Sequence, residues 1–284
     1  MWVYAPPRPA STGAPLIVVL HGCRQDPVRF ATDAGWLEFA RRAGIPLVMP
    51  EQTAANNRHR CFNWYRVDDV RRSHGEAMSI RQMVRNAVEL FGSDRKRIFI
   101  VGLSAGGAMA GAMLAAYPAV FAAGAMVAGM PVGIASDAAG AMLRMQRADP
   151  FRTRLSLVAA VLAATPARSG QAWPRLSIWQ GGRDRTVNPQ NSELAAAQWT
   201  GLHGLDLKPS VDRAGPGGTR YRSWGKPARP AVEVWNLANA GHGFPIDGKS
   251  SVGRPGPWVI EAGISAVDHV AAFWGIGPVK ASPQ

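Results

Sequence analysis

The sequence is poor in cysteine, since its 284 residues include only Cys23 and Cys61 and no CxxC pair. Two thiols cannot by themselves supply the four ligands of a structural zinc site, so the cysteines predict no metal centre. They are compatible either with two buried thiols or with one disulfide bond, and at this point both alternatives stay open. We also expect the protein to need no cofactor.

Long apolar segments are absent as well. No run is long enough to cross a bilayer, which predicts a protein without a membrane-spanning segment. Residues 1–7 lack the basic stretch followed by an apolar stretch that marks a signal peptide. Residues 1–15 are rich in proline, and we expect them to be extended or loose. Hydrophobic residues make up 47% of the chain, which is ample for the core of one large α/β domain.

Acidic residues are scarce relative to basic ones, with 19 Asp and Glu against 32 Lys and Arg and a net charge of +13. Nearly all of the cations are arginine, and they are spread along the chain without the basic run of about five to eight residues that marks a nucleic-acid patch. We therefore predict no nucleic-acid partner. The excess charge is interpreted as a general surface property that favours adsorption to anionic polymers or cell surfaces.

A Gly-x-Ser-x-Gly pattern lies in the segment Gly102–Gly107, whose sequence is GLSAGG. The apolar residues 97–101 predict a buried strand before it, and the Ala- and Met-rich residues 108–117 predict a helix after it. A serine at such a turn is typical of the nucleophile elbow of an α/β-hydrolase. The turn would expose the hydroxyl of Ser104 at the positive end of the helix, where the backbone N–H of Ala105 can hold an oxyanion. The alternative is a glycine-rich turn that contains a serine by chance.

The apolar run over residues 16–20 predicts a strand of a parallel sheet that is covered on both faces. It leads directly into His21-Gly22-Cys23. In α/β-hydrolases the loop after such an early strand supplies the second oxyanion N–H, and the predicted donor here is the backbone of Cys23. An ordinary strand-to-loop turn is the alternative. We interpret His21 as a structural histidine rather than as the catalytic base.

Two later turns offer the acid and the base that a serine nucleophile needs. Asp184 follows a predicted strand over 176–180, in a glycine-rich turn where its carboxylate can accept a hydrogen bond from an imidazole Nδ1–H. His242 lies between two glycines after a predicted strand over 231–237. The chain order Ser104, Asp184, His242 is that of the α/β-hydrolases. A turn-forming aspartate is the alternative for Asp184. A binding protein on a hydrolase scaffold would be expected to lack one of the three.

The remaining chain predicts alternating helices and strands. Residues 51–75 form a polar and aromatic loop of the kind that builds a cleft at the strand ends of an α/β sheet. Residues 131–172 are interpreted as a cap-like helical insertion within a single catalytic domain of residues 1–284, and residues 207–225 as an excursion that forms a small hairpin. The further predicted elements are helices over 30–43, 76–91, 138–145, 155–164, 190–202 and 259–273 and strands over 45–49 and 121–128.

Several short segments are more specific than the elements that carry them: Leu20-His21-Gly22-Cys23 with Gln25, Pro50-Glu51-Gln52, Asn56-Asn57, Cys61-Phe62-Asn63-Trp64-Tyr65, Gly75-Glu76-Ala77 with Ser79-Ile80, Gly102-Leu103-Ser104-Ala105-Gly106-Gly107-Ala108-Met109, and Gly241-His242. Together they resemble the polyhydroxybutyrate (PHB) depolymerase family of esterases. The resemblance extends over most of the chain, and its N-terminal two thirds are the more specific part.

The resemblance implies an α/β-hydrolase fold, with a mostly parallel central sheet, helices on both faces and a small helical cap insertion. It implies a serine carboxylic-ester hydrolase that works through an acyl-enzyme, with Ser104, Asp184 and His242 as the catalytic triad. The N–H groups of Cys23 and Ala105 would form the oxyanion hole. The resemblance also implies a Cys23–Cys61 disulfide, which favours an oxidising, extracellular or periplasmic location.

Two substrate classes follow from the same resemblance. The first is PHB-type polyesters, their oligomers and short-chain acyl esters; the alternative is the plant cell-wall esters of feruloyl and acetylxylan esterases, to which the family is similar. Many family members carry a polymer-binding module after the catalytic domain, and we expect none here. Trp64, Trp179 and Trp258 are candidates to stack on an aromatic acyl group or a sugar. The predicted substrate-binding residues are Trp64, His21, Gln25 and Trp258.

Overall fold

The computed structural model describes residues 1–7, 13–164, 172–249 and 252–277, and the following account concerns these ranges. Part of the predicted insertion, residues 165–171, and part of the proline-rich start, residues 8–12, lie outside them. The strands are β1 Trp2–Tyr4, β2 Leu16–Leu20, β3 Leu47–Met49, β4 Ile98–Leu103, β5 Ala123–Val127, β6 Arg175–Gly181, β7 Val211–Ala214, β8 Thr219–Lys226, β9 Arg229–Leu237, β10 Phe244–Ile246 and β11 Val259–Glu261. The helices are α1 Pro27–Asp33, α2 Trp36–Ala43, α3 Val67–Val70, α4 Gly75–Phe91, α5 Ala105–Ala116, α6 Ala138–Gln146, α7 Arg154–Ala164, α8 Gln190–Leu202 and α9 Ala266–Trp274.

The central sheet has the strand order β1-β3-β2-β4-β5-β6-β9-β8-β7. The strands from β3 to β9 in that order pair in parallel, whereas β1 at one edge and β8 and β7 at the other run antiparallel to their neighbours. Every residue of β2 and β4 is buried, as expected for parallel strands covered on both faces. The predicted mostly parallel sheet is therefore confirmed.

Helices cover both faces of this sheet. Successive residues of a strand point to opposite faces. In β2, Ile17 and Val19 belong to the apolar core that includes α1, α2 and α9. Leu16, Val18 and Leu20 belong to the core that includes α4, α5 and α8. The arrangement is a three-layer α/β/α sandwich, and its two cores meet only through the sheet.

The topology brings four predicted site residues to one edge of the sheet. Parallel strands place their carboxyl ends together, and ligand sites of α/β proteins lie there. Cys23 follows β2, Ser104 follows β4, Asp184 follows β6 and His242 follows β9. Residues far apart in sequence thus become neighbours because their strands end at the same edge.

One predicted helix is in fact two. The periodicity over residues 30–43 is continuous, but the chain forms α1 and α2 with a break at Gly35, which has φ 93°. A Cβ atom on this glycine would lie 2.7 Å from the backbone N of Gly253. The helix is interrupted because a distant loop packs directly against the backbone of Gly35. The spacing of apolar residues along the helix does not show such a contact.

The ends of the chain contribute strands. Within residues 1–15, predicted to be extended or loose, β1 is extended and pairs with β3 at one edge of the sheet. The helix predicted over 259–273 is wrong in its first part, where β11 pairs in parallel with β10 in a separate two-stranded sheet. The hairpin predicted in 207–225 is confirmed, and it extends the main sheet through β7 and β8.

The helix after the predicted elbow begins at Ala105, earlier than the predicted 108. Its first turn lies against the end of β2, because Gly106 has no side chain. A Cβ atom there would sit 2.5 Å from the carbonyl oxygens of Leu20 and His21. Only glycine permits this approach, which brings the turn after β4 beside the turn after β2.

We predict that Gly106→Ala lowers the free energy of unfolding by about 1–3 kcal/mol, because the backbone of β2 or α5 must move to admit the methyl group. The matched control is Gly140→Ala in α6, where the nearest atom to a Cβ would be 3.4 Å away. The control should gain up to about 1 kcal/mol from helix propensity. Urea unfolding of both variants tests this, and equal stabilities would contradict it.

Candidate active site

Ser104 occupies a strained turn between β4 and α5, with φ 57° and ψ −119°. A residue with a side chain in such a conformation costs roughly 1–3 kcal/mol and persists only where its surroundings fix it. Here the N–H of Ser104 donates to the carbonyl of Val127 at the end of β5, at 2.8 Å. Its carbonyl accepts from the N–H of Ala108 at 2.9 Å, within α5. The turn is therefore held by the sheet on one side and the helix on the other.

A row of hydrogen bonds joins Ser104 to His242 and Asp184. The Nε2 atom of His242 lies 3.0 Å from the Oγ of Ser104, and its Nδ1 lies 2.8 Å from the Oδ2 of Asp184. The imidazole is 10% exposed and the carboxylate is fully buried. Gln180 donates to Oδ2 at 3.0 Å, and the N–H groups of Thr186 and Val187 each donate to Oδ1 at 2.8 Å.

The surroundings of Asp184 favour its charged form. Burial raises the pKa of this carboxyl, but the hydrogen bond and electrostatic attraction of His242 and the N–H groups of Val187 and Thr186 outweigh burial and hold the pKa below its ordinary value. A carboxylate that only accepts hydrogen bonds requires a proton on Nδ1 of His242. The Nε2 atom is then free to accept the proton of the Ser104 hydroxyl.

Two backbone N–H groups flank this serine without a protein acceptor in the described ranges. They belong to Cys23, on the loop after β2, and to Ala105, the first residue of α5. The loop is held in turn by Gln25, whose Oε1 accepts from the N–H of Gly22 at 2.7 Å. The Nε2 atom of Gln25 donates to the carbonyl of Pro257 at 2.9 Å. Both predicted oxyanion donors are thus available on fixed turns.

The structure corrects the prediction that His21 binds substrate. Its ring is completely buried and does not line the cavity beside Ser104. Its Nδ1 lies 2.7 Å from the carbonyl of Gly22, and its Nε2 accepts from the N–H of Gln52 at 3.1 Å. Burial lowers the pKa of this imidazole, which favours the neutral form that these contacts require. His21 is a structural residue that joins two loops.

A disulfide joins Cys23 to Cys61, with Cα atoms 4.2 Å apart. The pairing implied by the resemblance is confirmed. The bond ties the loop that carries one oxyanion donor to the long loop that the sequence places over residues 51–75. Next to it, the N–H of Arg24 donates to the carbonyl of His59 at 3.0 Å. The two loops therefore form one connected wall of the site.

A cavity of about 800 Å³ opens beside Ser104 and His242. Trp64, Gln25 and Trp258, which the sequence analysis predicts to bind substrate, line this cavity. Trp64 is largely buried, whereas Trp258 is 42% exposed. The prediction for the remaining candidate, Trp179, is wrong, because this residue does not line the cavity. It is buried in the core and stacks on Trp235 with ring centroids 5.0 Å apart.

The long loop is organised around a buried carboxyl group that sequence analysis missed. Glu76, in the first turn of α4, accepts from the backbone N–H of Asn63 at 2.8 Å and from its side chain at 2.6 Å. The side chains of Gln52 and Asn56 also donate to it, at 2.5 and 2.8 Å. Gln52 reaches further, to the carbonyl of Cys61 at 3.1 Å. The disulfide and Trp64 lie on the segment that these bonds fix.

Burial raises the pKa of Glu76 to about 7, although the hydrogen bonds from Asn63, Gln52 and Asn56 favour the charged form. The nearby charge of Asp69 adds to the rise. The sequence gives one signal for this residue, its place in the Gly75-Glu76-Ala77 segment. Periodicity alone shows an ordinary acidic residue at a helix start, which is why its partners were not foreseen.

Comparison with known proteins adds two kinds of finding. Residues 1–221 match the family described as esterase PHB depolymerase. The chain belongs to this family. Among solved structures, an acetyl xylan esterase from Aspergillus awamori superposes with a TM-score of 0.81 at 21% identity, covering 97% of this chain and 93% of that one. The α/β-hydrolase fold is thereby confirmed.

The relatives of this esterase fall into both predicted substrate classes. Poly(3-hydroxyalkanoate) depolymerase C of Paucimonas lemoignei is 34% identical over 280 residues, which is 95% of this chain and 65% of the depolymerase. The chain thus spans a little under two thirds of that relative. Feruloyl esterase B of Talaromyces stipitatus is 28% identical over 87% of this chain and 69% of its own length. A probable acetylxylan esterase A of Aspergillus niger is 26% identical over 87% and 82%.

The described part of this esterase contains no group of three or more His, Cys, Asp or Glu side chains placed to hold a metal ion. Across the same ranges, no helix combines the length and the apolar composition that crossing a membrane requires.

We predict that Glu76 makes stability fall as the pH rises from about 4.5 to about 7. Between these values the folded protein keeps a proton on Glu76 that the unfolded chain has released, so the free energy of unfolding decreases with pH. The expected contribution is roughly 2–3 kcal/mol between pH 5 and 8. Glu76→Gln removes it, so the stability difference between wild type and variant should change by that amount. Urea unfolding at both pH values measures it.

The matched control is Glu89→Gln, an exposed carboxyl on the same helix. Its stability difference from wild type should be the same at both pH values. A Glu76→Gln difference that is equally independent of pH would contradict the assignment of a buried, protonated carboxyl.

Proposed function

We propose that Ser104, His242 and Asp184 are a catalytic triad that hydrolyses esters through an acyl-enzyme. The observation that carries the proposal is the row of two hydrogen bonds from Asp184 to Ser104, 2.8 and 3.0 Å long, which ends at an open cavity. A serine on a strained turn, a histidine held by a buried carboxylate and two adjacent N–H donors are together the groups that acyl transfer requires.

In this mechanism His242 takes the proton of the Ser104 hydroxyl as its oxygen attacks the ester carbonyl carbon. The N–H groups of Cys23 and Ala105 hold the resulting oxyanion, and each such donor is typically worth about 3–4 kcal/mol. The ester bond breaks as His242 gives its proton to the leaving alcohol oxygen. Water then gives a proton to His242 and adds to the acyl carbon. Release of the acid restores the hydroxyl of Ser104.

The proposed substrates are PHB-type polyesters or their oligomers and short-chain acyl esters. Support comes from the family match and from the 34% identity to a poly(3-hydroxyalkanoate) depolymerase. The cavity has an apolar stretch formed by Met130, Met142 and Met145, which suits the aliphatic part of a hydroxyalkanoate.

The alternative is a feruloyl or acetylxylan esterase. Two observations favour it: the relatives with those names, and the indole rings of Trp64 and Trp258 at the cavity, which can stack on an aromatic acid or a sugar.

We further propose that the protein works outside the cytoplasm, extracellularly or in the periplasm. The Cys23–Cys61 disulfide supports this, because such bonds persist in oxidising compartments. We also propose that residues 131–172 are an insertion within one catalytic domain, since α6 lines the cavity and Gln198 of α8 donates to the carbonyl of Leu157 in α7 at 2.8 Å.

The test is release of soluble acid from a PHB suspension beside release of ferulate from methyl ferulate. We expect PHB hydrolysis by the wild type and a loss of about 10⁴-fold or more in Ser104→Ala, because the nucleophile is gone. Ser210→Ala, at an exposed serine, is the matched control and should keep full activity.

Ferulate release without PHB release would establish the alternative substrate class. Full activity of a correctly folded Ser104→Ala variant would overturn the triad itself.

A further inference from the structure

Part of the cavity beside Ser104 is lined by cationic side chains, and no acidic side chain of the described ranges lines it. Its lining includes Arg24, Arg58, Arg66 and His59, and no aspartate or glutamate from the described ranges contributes to it. None of the three arginines lies within 4.0 Å of a carboxylate in those ranges. Positive charge at this cavity is therefore not neutralised by the protein.

Two exposed arginines elsewhere on the molecule show how a guanidinium group binds a carboxylate. Arg41 makes two hydrogen bonds to the carboxylate of Glu38, both 2.8 Å long. Arg220 makes two to Asp212, at 2.9 and 2.7 Å. A guanidinium group can bind a carboxylate through two parallel hydrogen bonds in this forked geometry. The arginines at the cavity can bind a carboxylate in the same way, and no carboxylate of the described ranges lies close enough to occupy them.

Arg24 and Arg58 are held beside the proposed oxyanion hole. Arg24 directly follows Cys23 and has φ 62°, a left-handed conformation that a side chain rarely adopts. The bond from its N–H to the carbonyl of His59 and the Cys23–Cys61 disulfide hold that turn against the segment that bears Arg58.

His59 separates the two guanidinium groups without neutralising either. The Nε of Arg58 donates to Nε2 of His59 at 3.0 Å, and Nη2 of Arg24 lies 3.5 Å from its Nδ1. The backbone N–H of His59 donates to Asn57 at 2.9 Å, and Asn57 donates to Asn63 at 2.8 Å. The cationic row is thereby connected to the buried network of Glu76.

The rest of the lining sets the shape of the ligand. Met142 and Met145 of α6, with Met130 and Trp64, give the cavity an apolar part that a charged group would avoid. A ligand that fits both parts has an aliphatic body and one negative end. Ser104 lines the same cavity, and Arg24 directly follows Cys23, a proposed oxyanion donor, so we place the reacting ester bond near the charged end.

We propose that Arg24 and Arg58 form a carboxylate-binding subsite, which makes this esterase selective for hydroxyacid oligoesters that end in a free carboxylate. The inference rests on the proposed function, since it specifies the substrate of the same Ser104 site. In a chain of 3-hydroxyacid units the terminal carboxylate lies only a few bonds from the last ester oxygen. Binding that carboxylate directs attack to the last ester bond, and the leaving alcohol is then the free hydroxyacid, protonated on its hydroxyl oxygen by His242.

The experiment compares a linear 3-hydroxybutyrate trimer as the free acid with the same trimer as its methyl ester. The two share both inter-unit ester bonds. The methyl ester lacks the negative charge and adds a third ester bond, so only the initial rate of cleavage at the inter-unit bonds is compared. The wild type should hydrolyse the free acid with a kcat/KM about tenfold higher, mainly through a lower KM, as expected for charge-assisted hydrogen bonds at a partly exposed site. Raising the salt concentration should shrink that ratio.

Arg24→Gln/Arg58→Gln should bring the ratio of the two kcat/KM values close to one. The matched control is Arg85→Gln/Arg95→Gln, which removes the same charge from exposed arginines outside the cavity lining and should keep the tenfold preference. The double variant could lose turnover of both trimers, and Arg58→Lys, which retains the charge, is then measured instead. A tenfold preference of Arg58→Lys for the free acid supports the subsite, and equal kcat/KM values for the two trimers overturn it.

The outcomes separate this inference from the proposed function. Equal kcat/KM for the two trimers in the wild type, or a tenfold preference that survives in the double variant, overturns the subsite alone. A wild type that cleaves p-nitrophenyl butyrate and neither trimer overturns the polyester and oligomer part of the proposed substrates, and the subsite with it, while leaving the Ser104 esterase standing.

Discussion

Close contact between α5 and the end of β2 is the constraint on which the rest of the site depends. Gly106 lets the first turn of the helix rest on the carbonyl oxygens of Leu20 and His21. That contact fixes how near the N–H of Ala105 lies to the loop of Cys23. The strain at Ser104 is sustained by the same packing, since its N–H is bonded to β5 and its carbonyl to α5. The loops of the site are thus held in position by backbone atoms of the central sheet.

Buried polar groups extend this rigidity from the sheet to the loops. Glu76 anchors the long loop through Asn63, Gln52 and Asn56, and Gln52 passes the connection to His21 through its backbone N–H. Glu76, Asn63, Gln52 and His21 are buried, so breaking one of the bonds among them would leave a polar atom without water or partner, which costs more than the bond itself contributes. One network of polar side chains consequently holds the wall of the cavity, although aromatic side chains form part of the surface that faces the cavity.

The sequence predicts those parts of the fold and site that leave a short local pattern, and it misses those that depend on contacts between distant segments. The elbow, the apolar parallel strands and the order Ser104, Asp184, His242 all follow from short patterns, and the structure brings these three residues together. The break at Gly35 and the pairing of β1 and β11 depend on contacts with distant segments, which no local pattern records. His21 was assigned to the substrate and Glu76 to no role, because a sequence does not show which polar side chains become buried.

The Cys23–Cys61 bond has a consequence for when the enzyme becomes competent. Its formation is a chemical step that follows synthesis and depends on the surroundings, whereas every other contact of the site forms by folding alone. Before oxidation, the turn bearing one oxyanion donor is joined to the opposite loop only by hydrogen bonds such as that between Arg24 and His59. A newly made chain in a reducing compartment would therefore have a looser site. Formation of the disulfide would restrain that turn, so the site is completed only where the chain meets an oxidising environment.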